Sequence, residues 1–572
     1  MYTVHRHVRI LISLLKEYKV KHLVLSPGYR NVPFVHSVED DPDFICYSVV
    51  DERSAAFFAL GIAKETGEPV AISCTSSTAC SNYLPAVKQA YEEGIPLIVL
   101  TADRNPYYRE QMENQMIMQP GMYGKYCRKA VDLPTVKNDT DAAYCERLVN
   151  EALLELDHNG RGPVQINFCM WTGFFDYPEE TLPKCRVITR VTQDDTTGWG
   201  KYAKQLRESD KVMLLFGEGS GYSQEYIDKI SSFFARYNCF ISVEHMSNIH
   251  CDGALRTFMI TESISDYELT QIMPDIIITF GANFASDIKN TLRRFRNKFR
   301  HWRVSPAGDV VDMFMNLDTI FQCSDEEFFD HMLALADDKC HNSMNFYNMW
   351  KNKIDVVQFP DLKFSNFYAI GRLAKAIPEN SILHLSILNS IRLTQFFDIK
   401  PSVTVYANLG AYGIDGSMST FLAQARNTGQ PAYLIVGDLS FLYDMNSMMI
   451  DKITDNVKIM VVNNHGGGEF HYTYHTAHLK DIDRHVAAGH NKSIKSYANA
   501  IGIDYISAKN REELETAIEK FTVNDKPVIL EVFTNIEDDA GTLTEFKRIN
   551  KHVPEPTFSQ KVKRKIKKIL KK

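Results

Sequence analysis

The chain has 572 residues, of which 44% are hydrophobic and 24% charged, with a formal net charge of −7. That length exceeds what one hydrophobic core organises and fits about three or four domains, while the ordinary composition excludes collagen-like, disordered and disulfide-stapled classes. No apolar run of about 18 residues occurs, so nothing reads as a membrane-spanning helix.

In chain order, Met1–Val20 mixes His5, Arg6, His7 and Arg9 with Ile and Leu at helical spacing. It lacks an unbroken apolar stretch and a cleavage site, so it reads as an amphipathic helix rather than a secretion signal. His22–Leu25, Val70–Ser73 and Pro96–Thr101 are short, apolar and bounded by turn residues, as strands are. Helical patterns at Ser54–Thr66 and Ala79–Glu93 separate them, and this alternation predicts a doubly wound parallel sheet running to about Asn167.

A second block follows the polar segment Thr189–Thr197, with strands expected at Lys211–Phe216, Cys239–Val243, Asp275–Phe280 and His301–Val304. A third places strands at Ser381–Leu385, Thr404–Ala407, Ala432–Val436, Lys458–Asn463 and Val528–Val532. The predicted fold class is therefore α/β, with three doubly wound parallel-sheet domains over 1–187, 188–355 and 356–553 and a basic tail over 554–572.

The eleven cysteines stand singly with no C-x-x-C, which predicts reduced thiols and a cytoplasmic protein rather than a zinc site or disulfide framework. Residues 561–572 hold eight Lys/Arg and no acid, so the other 560 residues carry −15. An acidic body argues against nucleic acid as a partner. The tail reads first as a solvated basic segment. Its Val562, Ile566, Ile569 and Leu570 share one helical face, and the second reading is peripheral contact with an anionic inner-membrane surface.

The sharpest signal is Gly437-Asp438-Leu439-Ser440 after the run AYLIV, followed about two dozen residues later by Asn463-Asn464 after KIMVV. Two neighbouring strands would then deliver a carboxylate and an amide oxygen at their C-terminal ends, where α/β sheets bind ligands. Oxygen donors of this kind suit Mg²⁺ with diphosphate oxygens completing the octahedron. Phe441–Asp451 is a helix candidate whose N-terminus can face the diphosphate.

The segment GDLSFLYDMNS…VVNNHGGGEF resembles the thiamine diphosphate (ThDP) binding motif, and VVDERSAAFFALGIAKETGEPVAISCTSSTACSNYLPAV is similar to the first domain of the same enzymes. The flanking residues resemble the menaquinone-pathway family that joins a 2-oxoglutarate-derived unit to isochorismate, the SEPHCHC synthases. The resemblance implies a ThDP- and Mg²⁺-dependent decarboxylase or carboligase. Asp438, Asn464 and the Gly466 carbonyl would hold the metal, with Gly437, Leu439, Ser440 and Gly467 around the diphosphate. Glu52 would activate the cofactor through its aminopyrimidine ring, Thr75 and Ser76 would line that ring's pocket, and Ile414 would bend the cofactor. Ser77 stands where the family has glycine.

Arg30, Arg104 and Gln115 match the family's substrate-contacting positions, Gln115 also as a catalytic candidate; guanidinium groups there suit carboxylate substrates. Tyr29, Asn31 and Leu409 depart from it, Leu409 replacing an arginine implied to hold a succinyl carboxylate. After Asn389-Ser390 the family's second arginine position is Thr394, with Arg392 two residues earlier. Where the family has GGxIF and then apolar residues, this chain reads GGGEFHYTYH, adding Glu469, His471 and His475. The two histidines read first as solvated loop residues and second as acid/base or substrate contacts, with His471 the substrate-contact candidate. They read last as metal ligands, since no third ligand stands at a recognisable spacing. The expected function is decarboxylation of a 2-oxoacid and transfer of the acyl unit to an acceptor with altered specificity. The alternatives are the SEPHCHC synthase reaction itself, a simple decarboxylase, and a ThDP-binding but silent scaffold. Family members place the activating glutamate and the metal site on different subunits, which implies a homodimer or a dimer of dimers with shared active sites.

Overall fold

A computed structural model describes residues 1–170, 175–261, 263–285, 287–472, 476 and 478–551. His475 and the basic tail lie outside the described residues. The chain divides into two compact units, one of Met1–Thr192 with Gly308–Ile320, the other of Gln193–Ala307 with Phe321–Lys572.

The first unit holds β1 (His22–Leu25), β2 (Ile45–Ser48), β3 (Val70–Cys74), β4 (Leu97–Asp103), β5 (Lys129–Leu133) and β6 (Val164–Cys169), with β7 (Thr189–Thr192) closing its N-terminal segment. The six strands form a parallel sheet in the order β2-β1-β3-β4-β6-β5. β3, β4 and β6 are buried at every residue, as strands covered by helices on both faces must be. β2 is half-exposed along its length. The helix Glu52–Thr66 lays Ala55, Ala56, Ala59, Leu60 and Ala63 inward, and Asp51 caps it by accepting from the Ser54 N–H at 2.7 Å.

In the second unit, β8 (Val212–Phe216), β9 (Cys239–Ser242), β10 (Ala254–Leu255), β11 (Ile276–Phe280) and β12 (Arg300–Val304) run parallel in the order β10-β9-β8-β11-β12. After β13 (Leu317–Gln322) come β14 (Ile382–Leu385), β15 (Thr404–Ala407), β16 (Ala432–Gly437), β17 (Val457–Asn463), β18 (Asp504–Ala508) and β19 (Val528–Phe533). These last six form a parallel sheet in the order β15-β14-β16-β17-β19-β18. Renumbered from its own first strand, that is the order of the first sheet. In both, the chain leaves the first strand toward one edge and returns to build the other, so a crevice opens beside the first and third strands, where such sheets take ligands.

Two expected helices differ in the structure. The pattern Ala79–Glu93 is two helices, Thr78–Ser81 and Leu84–Glu93, because Pro85 cannot continue the first and instead opens the second. The helix expected over Phe441–Asp451 begins at Asp438 and ends at Tyr443, followed by a 3₁₀ turn at Met445–Met449. Among the described residues no helix is long and apolar enough to cross a membrane.

Candidate cofactor and substrate site

In the last sheet, β16 and β17 pair in parallel with Gly437 opposite Val462, so the residues following each strand emerge side by side. A cavity of about 390 Å³ opens there, lined by Ser386–Ser390 after β14, Gly437–Ser440 after β16, Asn464 and Gly466–Gly468 after β17, and Ile414. The sequence-selected residues Ile414, Gly437, Asp438, Leu439, Ser440, Asn464, Gly466 and Gly467 are all brought together in this one crevice, with Ser390 at its edge.

Asp438 is buried, and burial pushes its carboxyl up to about 6. Its Oδ1 accepts from the Leu439 N–H at 2.7 Å and its Oδ2 from the Gly466 N–H at 3.0 Å. His490 brings Nε2 to 3.2 Å from that second oxygen; burial, with Lys492 nearby, lowers the ring's pKa and favours its neutral form. Asn464 donates its Nδ2 to Asp539 Oδ2 at 2.9 Å, while its Oδ1 takes no hydrogen bond from the described residues. The preceding Asn463 turns the other way, donating to the buried Glu531 at 2.7 Å, which also accepts from the Ser493 and Tyr505 hydroxyls. Of the Asn-Asn pair, one residue therefore anchors the strand end and the other faces the crevice.

The three glycines leave the room. A Cβ on Gly466 would stand 2.9 Å from the Ala487 carbonyl oxygen, and one on Gly468 would stand 2.7 Å from Asn464 Nδ2. Ser440 donates its hydroxyl to the Ile414 carbonyl at 2.5 Å and lies 3.0 Å from the Ser386 hydroxyl, fixing the loop that presents Ile414. Among the described residues no group of three or more His, Cys, Asp or Glu side chains is placed to hold a metal alone. One carboxylate, one free amide oxygen and one glycine carbonyl, open on one side to a cavity, make an incomplete hard-cation shell that a diphosphate would finish. The residues fit ThDP and Mg²⁺.

A second cavity of about 650 Å³ is lined by Arg392, Leu409, Tyr412, Glu469 and Tyr472 among others, and Glu469 borders both cavities. The helices Asn389–Thr394 and Glu469–Tyr472 meet there, and Arg392 Nη1 donates to Glu469 Oε2 at 2.6 Å. Thr394, at the arginine position, is buried and turns its hydroxyl back to the Ser390 carbonyl at 2.6 Å. Leu409 is buried and offers no charge. His471 pairs with Asp483 at 2.7 Å and lies outside the lining of both cavities.

In the first unit, the selected residues follow the carboxyl ends of β1 to β4. Glu52, half-buried, opens its helix after β2. Thr75 and Ser76 are buried after β3; the Arg30 N–H donates to Thr75 Oγ1 at 3.1 Å, and Ser76 donates to the Gln115 carbonyl at 3.1 Å. A Cβ on Gly28 would stand 2.3 Å from Thr75 Cβ, so the Ser26–Arg30 loop closes directly on that turn. Arg30 stacks over the Tyr29 ring at 5.1 Å, and burial and the neighbouring Arg104 lower its pKa. Arg104 pairs with Glu113 and the Asn114 carbonyl, while the Gln115 side chain is exposed. Asn31 is buried and donates to the Ser26 carbonyl at 2.9 Å, a structural role. Ser77 holds the glycine-like conformation φ 73°, ψ −126°, its N–H donating to Gln119 Oε1 at 2.8 Å.

Sequence reasoning missed Asp539, His490 and the joining of Arg392 to Glu469. Asp539 sits in the acidic first turn of Ile536–Asn550, a pattern that ordinarily reports only helix-dipole complementarity.

Residues 6–122 match the thiamine pyrophosphate enzyme N-terminal TPP binding domain, and residues 389–532 match the C-terminal TPP binding domain. The chain is 36% identical to a 2-succinyl-5-enolpyruvyl-6-hydroxy-3-cyclohexene-1-carboxylate synthase of Bacteroides fragilis, over 96% of this chain and 99% of the relative. It is 34% identical to the enzyme of that name from Bacteroides thetaiotaomicron, over 96% and 99%, and 30% identical to that of Flavobacterium johnsoniae, over 94% and 98%.

Proposed function

This chain belongs to the thiamine pyrophosphate-dependent enzyme family, and we propose that it decarboxylates a 2-oxoacid and transfers the remaining acyl unit to an acceptor. The observation that carries this reading is the buried Asp438 beside the free Asn464 oxygen and the Gly466–Gly468 turn, on a cavity at the sheet's crevice. Bound ThDP supplies the electron sink that makes loss of CO₂ beside a carbonyl feasible. Asp438, Asn464 and the Gly466 carbonyl would hold Mg²⁺, and Ile414, presented through Ser440, would shape the cofactor's seat. Glu52 would hydrogen-bond the aminopyrimidine ring and exchange a proton with it. Arg30, Arg104 and Gln115 would orient substrate carboxylates.

The finer part of the proposal concerns the donor. Arg392 is neutralised by Glu469, and positions 394 and 409 carry no charge, which supports a donor with less negative charge than the five-carbon dianion. The 2-succinyl product in the relatives' name supports a second reading, that the chain performs their reaction, because identity extends over nearly the full length. Single-turnover CO₂ release from pyruvate and from 2-oxoglutarate, with Glu52→Gln as control, separates the two. Preference for pyruvate supports the altered donor; clear preference for 2-oxoglutarate removes it in favour of the relatives' reaction.

We assign the three sheets, in chain order, to pyrimidine-binding, central and diphosphate-binding domains. A homodimer with shared sites is supported by the outer face of Glu52–Thr66, the helix that Glu52 opens, where Phe57 and Phe58 are 43% and 47% exposed. Large apolar side chains left exposed on that helix suit a subunit interface.

A further inference from the structure

We propose that Asp539 is a positioning residue that selects which end of the Asn464 amide faces the metal; this rests on the reading of Asn464 as a metal ligand. An amide presents an oxygen that ligates a hard cation and an NH₂ that does not. Something must choose between the two, and the choice is made behind the cradle. Asp539 is fully buried on the helix Ile536–Asn550. Its Oδ1 accepts from the backbone N–H of Asn366 at 2.7 Å, and its Oδ2 accepts from Asn464 Nδ2 at 2.9 Å and from the Thr534 hydroxyl at 3.0 Å. A carboxylate that only accepts forces the Asn464 NH₂ toward itself and leaves Oδ1 toward the crevice. Gly468, whose missing Cβ would stand 2.7 Å from Asn464 Nδ2, lets the amide lie there.

The geometry makes the dependence reciprocal. In Asp539→Asn the Asn366 N–H still requires an acceptor, so the new amide oxygen must stay on that side. Its NH₂ then occupies the place of Oδ2 and faces the NH₂ of Asn464. The Thr534 hydroxyl can rotate to accept, but Asn464 can relieve the clash only by turning over, which aims its NH₂ at the cation. Adding Asn464→Asp restores the match. A carboxylate at position 464 accepts from the introduced NH₂ on one oxygen and offers the other to the metal.

The test is Mn²⁺ binding to the full chain in the presence of ThDP, followed by the electron paramagnetic resonance of free Mn²⁺, with far-ultraviolet circular dichroism as the folding check. D539N is expected to raise the Mn²⁺ dissociation constant at least about tenfold, as loss of one charge-assisted or metal contact does, and the double variant D539N/N464D to return it to near wild type. A D539N affinity within about twofold of wild type, or a folded double variant no better than D539N, would overturn the proposal. If D539N does not fold, the double variant decides alone: folded with near-wild-type affinity supports the assignment, and folded without affinity, or unfolded, overturns it. D438N run beside them separates the failures. Unchanged Mn²⁺ affinity in D438N removes the metal-cradle reading and this inference with it, whereas loss in D438N but not in D539N removes the inference alone.

Discussion

At the residue scale, Ser77 shows how a local conformation outlasts the residue type suited to it. The turn after β3 demands φ 73° and ψ −126°, a region that glycine occupies freely and other residues reach only under strain of about 1–3 kcal/mol. Ser77→Gly is therefore expected to stabilise the protein by about 1 kcal/mol after the extra flexibility of the unfolded chain is set against the relief. A calorimetric melting temperature that falls instead would show that the Ser77 side chain makes a compensating contact. The sequence motif located Asp438, Asn464 and the glycines because their chemistry is tied to their spacing along two neighbouring strands. Asp539 was illegible for the opposite reason: it lies 75 residues from Asn464, and its own surroundings in sequence are those of any acidic helix start.

At the scale of elements, the specificity question turns on two short helices. Asn389–Thr394 offers Arg392, Glu469–Tyr472 offers Glu469, and their contact cancels a charge at the junction of two cavities. Freeing the guanidinium should favour an anionic donor tail. Glu469→Gln is expected to raise the kcat/KM ratio of 2-oxoglutarate to pyruvate by about tenfold, the scale of one charge-assisted hydrogen bond. The effect should vanish in Glu469→Gln/Arg392→Gln; an unchanged ratio in the single variant would remove Glu469 as a determinant of donor charge. Arg392 and Glu469 were each visible in the sequence as departures, but their pairing was not, since 77 residues separate them. The same limit applied to β2: a four-residue, half-exposed strand has too weak an apolar pattern to announce itself, whereas the fully buried β3, β4 and β17 were read correctly to within a few residues.

At the scale of the whole molecule, buried histidines set an acid limit. His7, His245 and His384 are buried, and burial lowers their pKa values to about 4, 3 and 4. In the unfolded chain each ring takes a proton near pH 6.5, so between about pH 6.5 and 4 the unfolded state binds more protons and stability falls as pH falls. The urea midpoint should accordingly drop between pH 7 and pH 5, less steeply in His384→Asn; equal slopes in the two proteins would show that His384 does not contribute. The proposed shared site makes a second prediction at this scale. Refolding Glu52→Gln and Asp438→Asn chains together should restore about a quarter of wild-type activity, because half of the dimers are hybrids with one intact site each. No recovery in verified hybrids would place both residues of a site on one chain.

The sequence by itself determined the α/β class, most of the strands that build the three sheets, the cofactor family and the residues that face the crevice after β16 and β17. These are properties of periodicity and of short motifs, in which the chemistry and the spacing lie within a few dozen residues. Only the tertiary structure decided which of the two asparagines turns an unbonded oxygen to the crevice, that Asp539 accepts from its amide, that Thr394 turns its hydroxyl away, and that Arg392 meets Glu469. Each of those depends on hydrogen bonds and charge pairs whose partners the fold, and not the order of residues, brings within reach.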